Sequence, residues 1–193
     1  MKEVKLQTPL NEKEIRELEV GDVVYISGII FTSRDMGHLK MRELIEKGEK
    51  LPVDLEGGIV FHAGPVVQKK DKGYDLLVIG PTTSIRMEPH SDFIGQLGIK
   101  AIIGKGGMEE KTADALRKYG MVYLQAPPGC AVVLGEQVQK VENVFWIELG
   151  VPEALWVLKV KEFGPLVVGM DSKGKSVYRD IKENGKKLIE SMY

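Results

Sequence analysis

Six residues in this 193-residue chain have types and spacings that could do chemistry: Arg34, His38, Thr82, Thr83, Arg86 and Lys105. In FTSRDMGHLK, Arg34 and His38 stand four apart, which on a helix places both on one face. A surface ion pair for Arg34 and simple packing for His38 account for the same spacing. In IGPTTSIRMEPH, an apolar run delivers Pro81, Thr82, Thr83 and then Arg86 into the start of a helix. Helix N-termini carry unpaired N–H groups and a positive dipole end, so a carboxylate can settle there with Thr82 and Arg86 gripping it together. An ordinary capped helix with an exposed arginine fits these residues as well. In IIGKGGM, Lys105 lies among glycines that let backbone approach a ligand closely, although a tight turn has the same composition and the spacing of a Walker loop is absent.

Taken together, two arginines and a lysine match a small dicarboxylic acid better than a neutral metabolite, because guanidinium groups pair bidentately with carboxylates. Metal chemistry is less well provided for. The single cysteine, Cys130, lies in APPGCAVV, a setting of small residues where a thiol packs more often than it reacts. His62 and His90 read as isolated, and no pair of histidines with a carboxylate has metal-ligand spacing. One cysteine excludes an intrachain disulfide and any all-cysteine cage built from this chain alone.

These residues need elements to hold them, and the apolar pattern supplies a series. VVYISGIIF (23–31) is β-branched and aromatic, as a buried strand should be, and a helix follows over 34–47 with Met41, Leu44 and Ile45 on one side and Gly48 closing it. GGIVFHAG, PVVQKK and DLLVIG read as three successive strands. PTTSIRMEPHSDFIGQLG opens a helix that Pro89 delays or kinks. KAIIGKG is a strand, MEEKTADALRKYG an amphipathic helix closed by Gly120, MVYLQAP a strand and CAVVLGEQVQKV a short helix. NVFWIELG and ALWVLKVKEF read as strands, Asp171 to Gly174 as a hairpin turn, and 179–192 as a terminal helix. Strands that come in runs as well as alternating with helices indicate an α/β domain with a mixed sheet.

Length and composition bound the rest. A chain of 193 residues with 43% apolar and 28% charged residues is one globular domain over 1–193. Lys plus Arg (27) nearly cancels Asp plus Glu (28), so no long-range field recruits nucleic acid or an anionic membrane. No apolar run approaches a membrane span or a signal segment, so the expected location is the cytoplasm.

Eight segments, GDVVYISG, FTSRDMGH, GGIVFHAGP, IGPTTSIRM, IGKGGM, PPGCAVV, IELGVPEALWVLKVKEFGPLVV and DSKG, resemble, in order, the small subunit of class I iron-sulfur fumarases and tartrate dehydratases. They span about residues 20–178. The resemblance implies a swivelling β/β/α domain that forms the C-terminal half of single-chain relatives. It also implies a four-iron, four-sulfur cluster held by a cluster-binding α subunit and not by this chain, a site at the interface of the two, and a heterotetramer.

The reaction so implied is reversible hydration of fumarate to (S)-malate. Arg34, Arg86 and Lys105 would hold substrate carboxylates, Thr83 would donate a hydrogen bond, Thr82 would be the base for the C3 proton, and His38 would support the arginines. Ser84-Ile85 and Pro128-Gly129-Cys130 depart from the single-chain fumarases towards the tartrate enzymes. L(+)-Tartrate is therefore the alternative substrate, and a non-catalytic dicarboxylate-binding module of the same fold is the remaining one.

Overall fold

Alternation along the strands decides the architecture. In β2 (Val23–Thr32), β3 (Ile59–Phe61), β6 (Ala101–Gly104) and β7 (Val122–Gln125), the residues Val24, Ile26, Ile59, Phe61, Ala101, Ile103, Val122 and Leu124 face one apolar core, while Val60, Ile102 and Tyr123 between them face a second. A sheet buried on both faces must be covered on both. In the computed structural model, which describes residues 1–192, one face carries α2 (Asp35–Glu46), α3 (Ser91–Gln96) and α4 (Glu110–Tyr119), whose Met41, Phe93, Ile94, Ala113 and Leu116 fill the second core. The other face carries the hairpin of β4 (Ala63–Lys69) and β5 (Tyr74–Pro81), while β8 (Val138–Phe145) and β9 (Leu155–Met170), which continue the main sheet, enclose the same core. The result is the α/β fold with a mixed sheet, in β/β/α layers.

Strand order in the main sheet is β1-β2-β3-β6-β7-β9-β8, where β1 is Glu3–Gln7. The first five run parallel, and β9 runs antiparallel to β7, β8 and β2. Because β9 pairs with both β7 and β2, the ring β2-β3-β6-β7-β9 closes on itself. The parallel strands therefore have their C-terminal ends at one rim, the place where open α/β sheets also gather ligands. The β4–β5 hairpin is an excursion from that rim. It leaves the chain just after β3 and returns with Pro81 opposite Ala63, so that the Thr82 amide donates to the His62 carbonyl at 2.7 Å.

Several local expectations need correction. The helix after Arg34 buries Gly37, His38 and Met41, whereas Ile45 is exposed, because the sheet lies against the face that carries His38. NVFWIELG remains strand only to Phe145: Trp146 takes a left-handed conformation (φ 61°) and a 3₁₀ turn, Ile147–Leu149, follows. ALWVLKVKEF and the segment after it form one 16-residue strand, β9. The turn at Asp171 to Gly174 leads by a single bridge, Met170 to Ser176, into the terminal helix α6 (Val177–Glu190) rather than into a second strand. The remaining helices are α1 (Glu12–Arg16) and α5 (Ala131–Glu136). Among the described residues, no helix is long and apolar enough to cross a membrane.

Trp156 joins the layers. It is fully buried, its indole N–H donates to the Val151 carbonyl at 2.8 Å, and its ring meets Tyr74 of the hairpin edge to face at 5.1 Å. Trp156→Ala is expected to destabilise the fold by about 3–5 kcal/mol, measured by urea unfolding; a loss below about 1 kcal/mol would show that the hairpin is not anchored there.

Candidate functional site

Four chain segments converge at the rim. The passage from β2 into α2 supplies Arg34 and Asp35, the return of the hairpin supplies Thr82 and Thr83, the 3₁₀ turn Ser84–His90 supplies Arg86, and the residue just after β6 is Lys105. Thr83 forms a parallel β-bridge with Lys105, and the Ser84 amide donates to the Lys105 carbonyl at 3.0 Å. The threonine segment is thus laid alongside β6 as though it were one more strand. The four-residue spacing of Thr82 and Arg86 works in a 3₁₀ turn: Arg86 Nη2 donates to Thr82 Oγ1 at 3.2 Å. Thr83 precedes that turn but makes no side-chain cap, which leaves its exposed hydroxyl uncommitted among the described residues.

Two carboxylates that pattern reading missed hold the arginines. Asp35 accepts from Arg86 Nε at 3.2 Å by either oxygen, and from Nη2 at 3.0 Å. Glu153 Oε1 lies 3.1 Å from Arg34 Nε, off the N–H direction, so charge attraction joins them rather than an aligned hydrogen bond. The second oxygen of Glu153 accepts from the Met36 amide at 2.9 Å, capping α2 where Arg34 offers no side-chain cap. Glu88 caps α4 likewise, accepting from the Glu109 and Thr112 amides at 3.0 and 2.9 Å, which fixes the 3₁₀ turn carrying Arg86. Asp35 was legible as the neighbour of Arg34; Glu153 comes from the turn before β9 and has no local signal.

Three cations against two carboxylates leave one net positive charge, and Lys105 is the cation without an ion pair among the described residues. Burial alone would raise the Asp35 carboxyl, but the Arg86 hydrogen bonds and charge outweigh it and hold it below its usual range. Asp35 in turn raises Arg86. Both remain ionised at any physiological pH.

His38 is placed differently from the other five. It is fully buried beneath the rim, with Nδ1 2.8 Å from the Arg34 carbonyl and 2.9 Å from Ser33 Oγ, so it braces the Arg34 backbone instead of sharing its exposed face. Nor are His62 and His90 isolated, because both rings pack on His38, at centroid distances of 5.5 and 5.1 Å. The three histidines come from three elements, and only the fold brings them together. Burial pushes His38 down to about 4 and His62 well below its ordinary value. His90 is lowered too, by burial first and then by Arg42.

Two cavities, of about 360 and 380 Å³, flank the Lys105–Gly107 loop and share Gly106, but neither takes in Arg34, Thr82, Arg86 or Lys105. The cationic surface itself is open, with the Arg86 and Asp35 side chains 43% and 39% exposed. Beside it stand Met36 and Ile85, apolar and exposed.

A sequence profile described as "Fumarase C-terminus" matches residues 1–181. The chain is 46% identical over 185 residues to a Methanocaldococcus jannaschii protein named "Putative L(+)-tartrate dehydratase subunit beta", covering 95% of this chain and 93% of that one. It is 44% identical over 186 residues to the Escherichia coli L(+)-tartrate dehydratase subunit beta, covering 96% and 90%. A Geobacillus stearothermophilus protein named "Putative fumarate hydratase class I" is 46% identical over 183 residues, covering 94% of this chain but only 34% of that protein.

The buried imidazoles carry a pH signature. In the unfolded chain each binds a proton near pH 6.5, whereas in the fold each resists it, so between about pH 6.5 and 4 the unfolded state holds more protons and stability falls as pH falls. The thermal midpoint should be level above about pH 6.5 and decline towards pH 4, with a shallower decline in His62→Asn. A midpoint constant across that window would contradict neutral buried imidazoles.

Proposed function

This chain belongs to the fumarase C-terminus family, and from that premise we propose that it is the β subunit of a hydro-lyase that adds water to, or removes it from, a four-carbon dicarboxylic acid, with fumarate and (S)-malate as the pair. The observation that carries this reading is the open surface on which Arg86, bonded to Thr82, stands with Arg34 and Lys105. A dianion leaving water needs paired positive charge. Lys105 has no carboxylate to give up among the described residues, whereas Arg34 and Arg86 must share their charge with Glu153 and Asp35.

In this reading Lys105 and the two arginines hold the substrate carboxylates, and Thr83 donates its hydroxyl to one of them. Thr82 Oγ1 takes the C3 proton of malate as the C2 hydroxyl departs, and returns it in the hydration direction. A threonine hydroxyl titrates far above neutrality and needs help to act as a base. The Arg86 guanidinium against Oγ1 supplies it by stabilising the oxygen after its proton has gone.

The chain's own donors do not fit an iron-sulfur cluster: such clusters take several thiolates, and Cys130 is the single thiol in the sequence. We assign the four-iron, four-sulfur cluster to a partner α subunit, where it would polarise the departing hydroxyl as a Lewis acid. The openness of the surface, its apolar flanks Met36 and Ile85, and the 34% share of the Geobacillus protein that this chain covers all favour a partner that closes over the rim. A heterotetramer of two such pairs in the cytoplasm completes the proposal.

L(+)-Tartrate is the second reading, favoured by the names of relatives that match this chain over 90% or more of their own length, the Methanocaldococcus and Escherichia proteins among them. Co-expression with a cysteine-bearing partner, followed by anaerobic assay on malate, fumarate and L(+)-tartrate, separates the two. Arg86→Met and Lys105→Met are each expected to lower kcat/KM by about 10²–10³ on the true substrate, and unimpaired turnover in both variants would overturn the site assignment.

A further inference from the structure

Beneath Thr82 and Lys105 lies a buried chain of side chains that the proposed chemistry does not use. His62 Nδ1 is 3.0 Å from Ser84 Oγ, and the Tyr123 hydroxyl donates to the same Ser84 Oγ at 3.1 Å. His62, Ser84 and Tyr123 are each fully buried. One direction of donation satisfies the run, from Tyr123 to Ser84 and from Ser84 to a neutral His62. Two of its members are tied to the segments that carry the site. Ser84 follows the two threonines and its amide donates to the Lys105 carbonyl at 3.0 Å, and the His62 carbonyl accepts from the Thr82 amide at 2.7 Å. Gly104 makes room for the arrangement, since a Cβ there would collide with Ser84 Oγ and stand 3.2 Å from the Tyr123 hydroxyl.

We propose that His62, Ser84 and Tyr123 are positioning residues, a buried relay of hydrogen bonds that fixes the separation of the Thr82 hydroxyl from the Lys105 ammonium. The proposal rests on the hydro-lyase reading above. Neutral His62 is the end of the relay because its environment refuses a proton: burial takes it out of contact with water, and His38 against it and the charge of Arg86 act in the same sense. Its other ring nitrogen, Nε2, is buried without a partner among the described residues, so no competing bond there draws the ring away from Ser84.

The test has two readouts. In the isolated chain, Tyr123→Phe and Ser84→Ala should raise the hydrogen-exchange rate of the Thr82 and Lys105 amides about tenfold or more, with the rest of the sheet unchanged. In the complex with the partner subunit, the same variants should lower kcat about tenfold while KM moves less than about threefold, because the carboxylate-holding cations remain. The double variant should lose no more than either single one, since both cut the same relay. His62→Asn, which keeps an acceptor near the Nδ1 position, should recover most of the kcat lost in His62→Leu. Multiplicative losses in the double variant, or full kcat in Ser84→Ala, would overturn the proposal. A wild-type complex inactive on malate, fumarate and tartrate would overturn the functional reading instead, and the relay would then stand or fall on exchange alone, with unchanged amide rates refuting it.

Discussion

Arg86 is held from two sides, by the carboxylate of Asp35 and by the hydroxyl of Thr82, and the chemistry assigned to the rim depends on that double hold. Both members of the Asp35–Arg86 pair are more than a third exposed, so its contribution to stability is on the order of 1 kcal/mol or less. Its value is orientation. A bidentate carboxylate fixes the plane of the guanidinium, and the free edge then meets Thr82 Oγ1. The fold supplies both anchors independently, Asp35 at the start of α2 after β2, and Thr82 at the return of the hairpin that springs from β3.

The same hold limits the charge available. Glu153 and Asp35 leave the surface much nearer neutral than three cations suggest, which lets a folded subunit carry them in the open without strong self-repulsion. A second surface closing over the rim would remove water and strengthen every remaining interaction in it. Below the rim the physics is opposite. Two buried histidines, His38 and His62, with the half-buried His90 against His38, form a floor that resists protonation, on which the backbone of Arg34 and the turn at Ser84 rest.

Much of this could be read from the residues in order. Periodicity located the central strands and the helices that cover them, because β2, β3, β6 and β7 are buried on both faces and each covering helix on one; it missed β1, which buries only Leu6, and the start of β8, which read as helix. Thr82 with Arg86 was visible as a spacing, and Lys105 as a lysine among glycines. What stayed hidden depends on contacts between distant segments. The histidines at 62 and 90 looked isolated because 24 and 28 residues of chain separate 38, 62 and 90, and only the meeting of α2, the end of β3 and the 3₁₀ turn packs the rings together, His62 edge-on and His90 stacked against His38. Glu153 reaches Arg34 across more than a hundred residues. The 16-residue β9 read as two pieces, because Gly164-Pro165 interrupts its pattern where it passes from pairing with β8 to pairing with β7.

The central question is whether the rim is half of a pocket. Amide hydrogen exchange of this chain, alone and bound to its cysteine-bearing partner with a slowly turned-over dicarboxylate analogue, measures that directly. Protection should appear at residues 34–36, 82–86 and 105–107 on complex formation and deepen when the analogue is added. Protection confined to other surfaces, with those three segments exchanging as they do in the isolated chain, would contradict it.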